Sequence, residues 1–353
     1  MQINITDPYL QTILFTIILS AFIIFSFRKD PNPNELNQSH TNELKGVAIL
    51  MVIFSHIGYF LFTDHRFLYP LSVAGGVGVN IFLFLSGFGL TISETKSKRS
   101  VLSFYSKRLK NIFIPMWLVL VSTLILDFYI LNRTYSVTTI IQNILGFFPN
   151  GDIDSAINSP LWYFSLILFY YLVFPVVFIR KKPWLSALIL LIIGYFVTKI
   201  ALPVSSDVLK LYKLHYLAFP LGMLFAYFKD IVLKQLVALN RFLIVRYLLL
   251  ISLSILVGYT AINSGVGDTL WTEQATSLVT VASLLLIFLI KPVQSKFLIL
   301  LGVYSYEIYL IQWPLMYRFD FIYKYTPAFL GTLLYLGIFI IAGFVLNMVR
   351  VKK

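Results

Sequence analysis

Lys45 and His56 are the two residues of this sequence whose types and spacing most clearly suggest chemistry. Both belong to one long apolar stretch, in which GVAILMVIFSHIGYFLF follows Lys45. Ionisable residues inside such a stretch are costly in a bilayer and are functional-site candidates by default. Eleven residues of α-helix turn through about 1,100°, roughly 20° beyond three full circles, and rise about 16 Å. Both side chains are therefore expected on one helix face, as the two ends of one pocket.

Glu307 is a third candidate, in the later apolar segment GVYSYEIYLIQWP. A carboxylate at membrane depth needs a cation or a proton. Paired with His56, it would fix the tautomer of the imidazole and stabilise the protonated ring, as in general base catalysis. Each residue also has a simpler interpretation. Lys45 would be an end residue that snorkels to the surface, His56 a hydrogen-bonded packing residue, and Glu307 one half of a structural ion pair.

The segment from residue 94 to residue 111 is the most basic in the chain and leads into SKRLKNIFIP. We predict a cytoplasmic loop that ends at a helix start, where Lys107 and Arg108 would bind the phosphates of a cofactor with help from the helix N-terminus. Membrane topology and lipid headgroups explain the same charges equally well. The glycines of AGGVG at 74–78 do not form a P-loop, because no GK[ST] follows them.

Several uncharged residues are candidates for substrate binding or for structural support of a site. Asn80 and Ser86 lie in GVGVNIFLFLSGFGL, and small or amide side chains commonly join helices in membranes. Trp162 and Tyr306 would stack on a sugar ring, although aromatic residues are equally expected at membrane interfaces. Asp127, late in its apolar segment, is interpreted as an interfacial residue.

Membrane helices must position these candidates, because the chain of 353 residues is 59% hydrophobic and 12% charged. A soluble domain carries about 25% charged residues, and a helix needs about 20 apolar residues to cross the bilayer core. We predict eleven spans, at 9–27, 44–63, 74–93, 112–132, 161–179, 184–202, 211–228, 243–263, 271–290, 297–316 and 328–349. The expected fold class is an all-α polytopic membrane helix bundle without a soluble domain.

The distribution of Lys and Arg predicts the orientation of this bundle. With the N-terminus outside, 21 of these residues face the cytoplasm and 7 face the outside. The positive-inside rule therefore favours N-out and C-in, which requires an odd number of helices. The first span is interpreted as an N-out anchor rather than a signal peptide, because its basic residues, Arg28 and Lys29, follow it.

Charge and residue counts exclude several function classes. The net charge of +13 lies in short loops between apolar segments, so membrane lipids are expected partners and nucleic acid is not. The chain has no cysteine, which excludes thiolate catalysis and disulfides. Its four histidines show no metal-ligand spacing, so no bound metal is expected.

Four segments, taken in order, resemble the acyltransferase-3 family of integral membrane acyltransferases. They are ELKGVAILMVIFSH at 43–56, GVNIFLFLSGFG at 78–89, FYSKRLKNIFIP at 104–115 and GVYSYEIYLIQWP at 302–314, with a weaker match in PLWYFSLILFYY at 160–171. The resemblance implies a ten-helix membrane acyltransferase domain over residues 43–353. Residues 1–42 would then add one N-terminal transmembrane helix and a cytoplasmic linker.

The resemblance also implies roles for individual residues. His56 is the expected catalytic histidine, Glu307 lies in a matching segment, and Arg108 matches the basic residue that precedes the family's proline. Three positions depart from the family pattern, namely Lys45 in place of arginine, Asn80 in place of aspartate and Gln312 in place of histidine.

The activity that the resemblance implies is O-acylation of a carbohydrate in the cell envelope. The acyl group, commonly acetyl, comes from cytoplasmic acetyl-CoA and passes to a hydroxyl of a cell-surface or lipid-linked glycan at the bacterial plasma membrane. Two other interpretations stay open. A polar pocket in a helix bundle suits a glycan transporter or flippase without acyl chemistry, and a scaffold would use the same polar residues only for packing. The sequence leaves open the identity of the acceptor and of the acyl chain, and also the oligomeric state. It also does not distinguish direct transfer from transfer through an acyl-histidine.

Overall fold

The chain folds almost entirely into helices. The computed structural model describes residues 3–31, 35–97, 100–153, 155–265 and 269–351. The α-helices are α1 (Pro8–Phe25), α2 (Gln38–His56), α3 (Gly75–Lys96), α4 (Val101–Leu131), α5 (Val137–Ile144), α6 (Trp162–Val177), α7 (Pro183–Val197), α8 (Ser206–His215), α9 (Ala218–Asn240), α10 (Leu243–Ile262), α11 (Leu270–Ile290), α12 (Lys296–Val303), α13 (Ser305–Trp313) and α14 (Ala328–Val351). Two short strands, β1 (Phe27–Lys29) and β2 (Val293–Ser295), pair in antiparallel orientation.

These helices confirm an all-α polytopic membrane bundle. Within the described ranges, nine helical segments are long and apolar enough to cross a membrane. The bent pair that begins with α12 adds a tenth if it counts as one span, and α7 is apolar but only 15 residues long. Each of the eleven predicted segments therefore coincides with a helix or with the bent pair.

Two helices begin well before the spans predicted for them. α2 starts at Gln38 instead of near residue 44, and α4 starts at Val101 instead of near residue 112. Asn37 and Ser100 each accept a hydrogen bond from the backbone N–H three residues further on. Such caps satisfy amide groups that a helix start leaves unpaired. The helices therefore extend beyond the apolar windows into polar sequence.

The span predicted at 297–316 is bent instead of straight. α12 and the helix that follows it meet at an angle of 68°, with Tyr304 between them. α13 then continues into a π-helical turn at Pro314–Arg318. The bend turns the α13 side chains toward the interior of the bundle, where every residue from Glu307 to Trp313 is buried.

Close packing against α2 fixes the position of α12. A Cβ atom at Gly302 would lie 1.7 Å from the Asn42 carbonyl oxygen, and one at Gly46 would lie 2.0 Å from the Leu298 carbonyl oxygen. Neither position has room for a side chain, so the two backbones touch. This contact sets the distance between the helix of His56 and the bent pair.

A polar cluster beneath the start of α2 holds the helix in place. His40 Nε2 lies 2.7 Å from Asp30 Oδ2, and both side chains are buried. Glu43 accepts hydrogen bonds from Lys291 Nζ at 2.7 Å and from the Ser295 N–H. Burial lowers the pKa of Lys291, and the neighbouring Glu43 opposes that shift. Because Glu43 belongs to α2, the cluster anchors the turn that carries Lys45.

Candidate active site

A cavity of about 500 Å³ occupies the half of the bundle that contains the N-terminus of α2. We call it the inner cavity, and the residues that define it here are Lys45, Ser86, Arg108, Tyr306 and Asn347. Its volume falls within the roughly 300–1,000 Å³ typical of small-molecule sites. The predicted orientation places this half on the cytoplasmic side.

Two basic side chains line the inner cavity. Lys45 and Arg108 line it, and none of its described lining residues is a carboxylate. The Arg108 guanidinium lies over the Tyr171 ring, 5.6 Å from the ring centroid, a cation–π arrangement that holds the side chain in the cavity wall. An anionic ligand is therefore the kind that this wall suits.

The local structure around Arg108 corrects the loop that we predicted. Arg108 is the eighth residue of α4, so Lys107 and Arg108 lie on a helix and not in a loop at a helix start. The helix N-terminus is thus about two turns away from the residues that it was expected to assist. Lys107 is exposed and is not among the lining residues described for the cavity. Lys98 and Arg99 of the same basic segment lie outside the described residues.

Ser86, Tyr306 and Asn347 form further polar parts of the inner cavity wall. The Tyr306 hydroxyl donates to the Ile112 carbonyl oxygen, which ties α13 to α4. Asn347 Nδ2 donates to Glu307 Oε1 at 3.2 Å, and Glu307 is fully buried. The structure thus places Glu307 directly behind the wall of the inner cavity.

His56 lies at the C-terminal end of α2, in the other half of the bundle. Its ring contacts Trp313 edge-on, with 5.4 Å between the ring centroids. Gln312 is the polar side chain beside it. His56 Nδ1 and both amide atoms of Gln312 have no hydrogen-bond partner among the described residues. Although the ring lies deep in the fold, it is only half-buried, so free space borders it.

A π-helical turn follows His56, and another follows Trp313. α2 passes into a π-helix at Ile57–Leu61 directly after His56, and α13 passes into one at Pro314–Arg318 directly after Trp313. π-helical turns are rare and are frequent at functional sites, because they shift side chains out of the regular α-helical register.

One expectation about His56 needs correction. Lys45 lines the inner cavity but His56 is not among the lining residues described for it, so the two are not the two ends of one pocket. The side chain that adjoins His56 is Gln312. Glu307 is five residues away along α13, about 7.5 Å along the helix axis, and its pairing with His56 stays a prediction. The sequence shows how residues lie along one helix, but the rotation of α13 against α2 depends on tertiary packing.

A second polar site, with a volume of about 170 Å³, lies at the opposite end of α2 and α3. We call it the outer cavity, and Ser55, Tyr59, Asn80, His215 and Ser277 are among its lining residues. Asn80 Oδ1 lies 2.8 Å from His215 Nδ1, and Asn80 Nδ2 donates to Ser277 Oγ at 2.7 Å. Asn80 thus belongs to a buried hydrogen-bonded chain.

His215 is the residue that sequence reasoning missed. Screening the four histidines only for metal-ligand spacing overlooked it, although its place in a predicted span, 211–228, was itself a signal. Trp162 stacks on the His215 ring, with centroids 5.5 Å apart and planes 19° apart. One face of Trp162 is therefore covered by a protein ring and is closed to a sugar.

Asp127 is fully buried inside the bundle. It forms an ion pair with Arg318, and the Tyr135 hydroxyl donates to the same carboxylate. Arg318 also donates to the Ala156 carbonyl oxygen. Together these side chains join α4, the loop after it and the π-helical turn that follows Trp313. It supports the Gln312 end of α13 from the side.

Comparison with known families agrees with this architecture. A family model described as an acyltransferase domain, Acyl_transf_3, matches residues 42–349, which is most of the chain. The chain belongs to the acyltransferase-3 family. The comparisons with curated proteins and with solved structures gave no match.

Membership of the acyltransferase-3 family confirms the resemblance read from the sequence motifs. This acyltransferase-3 protein is a multi-pass membrane acyltransferase. In the part of the chain that the structure describes, no three His, Asp or Glu side chains converge into a metal-binding group.

Proposed function

We propose that this acyltransferase moves an acetyl group from cytoplasmic acetyl-CoA to a hydroxyl of an envelope glycan at the bacterial plasma membrane. The observation that carries the proposal is that α2, the helix of His56, borders two cavities. Lys45, near one end of α2, lines the inner cavity, while Ser55 and Tyr59, one residue before and three residues after His56 in the sequence, line the outer cavity. A donor from one side and an acceptor from the other would meet at the His56 ring.

The inner cavity suits the donor. Acetyl-CoA carries phosphate groups, and Arg108 and Lys45 provide cations that such groups bind. Its pantetheine arm is long and mostly uncharged, and the cavity continues past Phe82, Tyr163 and Tyr309 toward the middle of the bundle. In this arrangement Glu307 supports the donor site through Asn347. Its predicted role as a partner of His56 stays a prediction.

The chemistry proposed for His56 is general base catalysis. The imidazole takes the proton of the acceptor hydroxyl while the hydroxyl oxygen attacks the thioester carbonyl carbon. The C–S bond then breaks, the ester C–O bond is complete, and the proton passes to the thiolate, which leaves as CoA. Gln312 Nε2, which has no partner among the described residues, would donate to the carbonyl oxygen as negative charge develops there. Transfer through an acyl-imidazole uses the same groups in two steps.

A glycan transporter or flippase is the second candidate, and the bend of 68° after α12 favours it. Broken helices commonly form the substrate sites of transporters. The two candidate functions predict different effects of replacing His56, because transport needs no base at an acyl centre.

The test compares His56→Ala with His65→Ala, a histidine in an exposed loop. Each variant is expressed in cells that lack the natural protein. Membranes receive radiolabelled acetyl-CoA, and whole cells are scored for surface glycan. We expect His56→Ala to lose label transfer with normal export, and His65→Ala to keep both. Lost export with unchanged label transfer would favour the transporter and overturn the proposal. Mass spectrometry of the glycans from both strains then identifies the acceptor.

A further inference from the structure

The outer cavity contains a buried histidine that the chemistry proposed above does not use. His215 is 4% exposed, and its Nδ1 faces Asn80 Oδ1. Asn80 Nδ2 faces Ser277 Oγ at 2.7 Å, so that Asn80 Oδ1 faces the imidazole ring. Asn80 Oδ1 is therefore an acceptor, His215 Nδ1 carries the proton, and His215 Nε2 is left with a lone pair. Nε2 has no hydrogen bond within the described part of the chain, and it is not enclosed by protein.

The other polar groups at this cavity are also left with unused hydrogen-bonding capacity. The Ser277 hydroxyl accepts from Asn80 and keeps its own proton for donation. Gln274 Nε2 donates to the carbonyl oxygens of Lys213 and Leu214, which leaves Gln274 Oε1 as an acceptor. An imidazole acceptor, a hydroxyl donor and an amide acceptor thus converge on one small space. Closely spaced hydroxyl groups, each both donor and acceptor, match this pattern.

The charges around the outer cavity restrict the kind of ligand that it can bind. Glu273 is the charged residue that the structure places in the lining of the outer cavity, and no Lys or Arg is among the lining residues described. Lys210 acts on Glu273 electrostatically but is outside that lining. A carboxylate or phosphate in this cavity would therefore meet an acid, with no cation among the described lining residues to attract it. With about 170 Å³, the cavity is also well below the roughly 300–1,000 Å³ of larger ligand sites.

The outer cavity adjoins both the inner cavity and His56. On α3, Asn80 lines the outer cavity and Phe82, two residues on, lines the inner one. Trp162 stacks on His215, and the next residue, Tyr163, lines the inner cavity. α3 and the start of α6 therefore border both cavities, and a ligand in the outer cavity lies next to the turn of α2 that carries His56.

We infer that the outer cavity binds a single uncharged sugar unit of the acceptor, with His215 Nε2 and the Ser277 hydroxyl bound to its hydroxyl groups. Asn80 positions His215 by fixing its tautomer. Acidic units such as uronic acids are excluded by Glu273. This inference rests on the proposed function for the existence of an acceptor, but the site makes its own binding prediction.

The absence of cysteine from the chain allows a direct binding test. Ser55→Cys places one thiol in the outer cavity, and Ser86→Cys places one in the inner cavity, both at half-buried positions. Each full-length variant is labelled with N-ethylmaleimide in lipid nanodiscs. The competing probes are methyl β-glucoside, methyl β-galactoside, N-acetylglucosamine, methyl β-glucuronide and acetyl-CoA.

We expect at least one neutral sugar to slow labelling of Ser55→Cys several-fold, and methyl β-glucuronide to leave it unchanged. Adding His215→Ala should remove the protection, and Ser277→Ala, a smaller change, should weaken it. Adding Glu273→Gln should let the glucuronide protect. Protection by none of the neutral sugars, or equal protection by the glucuronide without Glu273→Gln, overturns the inference.

The second thiol separates this inference from the proposed function. Acetyl-CoA should protect Ser86→Cys, and this protection should survive His215→Ala if that variant is folded. Sugar protection of Ser55→Cys without acetyl-CoA protection of Ser86→Cys would keep the outer site and remove the proposed donor. Acetyl-CoA protection of Ser86→Cys without sugar protection of Ser55→Cys would support the donor site and rule out the sugar site.

Discussion

Gln312 lies beside His56, and in the described part of the chain neither its amide atoms nor His56 Nδ1 form a hydrogen bond. Buried polar atoms without partners are uncommon and costly, by about 1–3 kcal/mol each. Gln312 is fully buried, so bulk solvent does not provide the missing bonds. These atoms are therefore available to groups that arrive with a substrate, as the proposed function requires.

The first prediction concerns the amide of Gln312. Gln312→Leu keeps the volume but removes the donor, so kcat should fall by roughly 100-fold, as when an oxyanion-stabilising donor is lost. Gln312→His restores an N–H donor at the position where the family usually has histidine, and it should retain most of the activity. Steady-state kinetics with acetyl-CoA and the identified acceptor check both. A Leu variant with unchanged kcat would remove Gln312 from the mechanism.

The second prediction uses two adjacent basic residues as a matched pair. Arg108 lines the inner cavity, whereas Lys107 on the same helix is exposed. Hydrogen bonds to charged groups contribute about 1.5–3 kcal/mol, so Arg108→Ala should raise the KM for acetyl-CoA by roughly tenfold or more. Lys107→Ala should change it by less than about twofold, because exposed charges contribute little. Equal effects of the two variants would show that only overall charge matters.

The third prediction tests the contact between α2 and α12. A methyl group at Gly302 would collide with the Asn42 carbonyl oxygen, whereas one at Gly337 on α14 meets nothing within 4 Å. Overpacking costs about 1–3 kcal/mol, so Gly302→Ala should lower the midpoint of thermal unfolding in detergent by several degrees. Gly337→Ala should leave it unchanged. If both variants unfold like the natural protein, the close approach of the two helices is wrong.

The fourth prediction concerns the ion pair between Asp127 and Arg318. Removing one member of a buried pair leaves an uncompensated charge and costs about 3–5 kcal/mol. Asp127→Asn should therefore destabilise the protein strongly, while the double variant Asp127→Leu with Arg318→Met should recover much of the loss. Thermal unfolding of the two variants measures the difference. A double variant less stable than Asp127→Asn would contradict this account.

Much of the architecture could be read from local sequence, because the bilayer acts on each segment separately. A run of about 20 apolar residues is stable across the membrane whatever its neighbours are, so all eleven predicted segments correspond to helices or to the bent pair. Helix ends were predicted less well, since the caps at Asn37 and Ser100 act outside the apolar windows. The family was also identifiable, because its motifs are short and lie within single segments.

The composition of the two cavities was decided by tertiary structure. Sequence spacing places Lys45 and His56 on one helix face but does not say which neighbours that face meets. The glycine contact between α2 and α12 and the bend at Tyr304 bring Gln312 to His56. His215 and Asn80 are 135 residues apart, and only the packing of α3 against α8 and α11 joins them in one hydrogen-bonded chain.

The sequence by itself determined a multi-pass bundle of the acyltransferase-3 family and the candidate residues at membrane depth. Hydrophobicity and short motifs are local properties, so they can be read one segment at a time. Only the tertiary structure decided which of those residues face one another, because helix rotation, bends and backbone contacts depend on the packing of all the helices together.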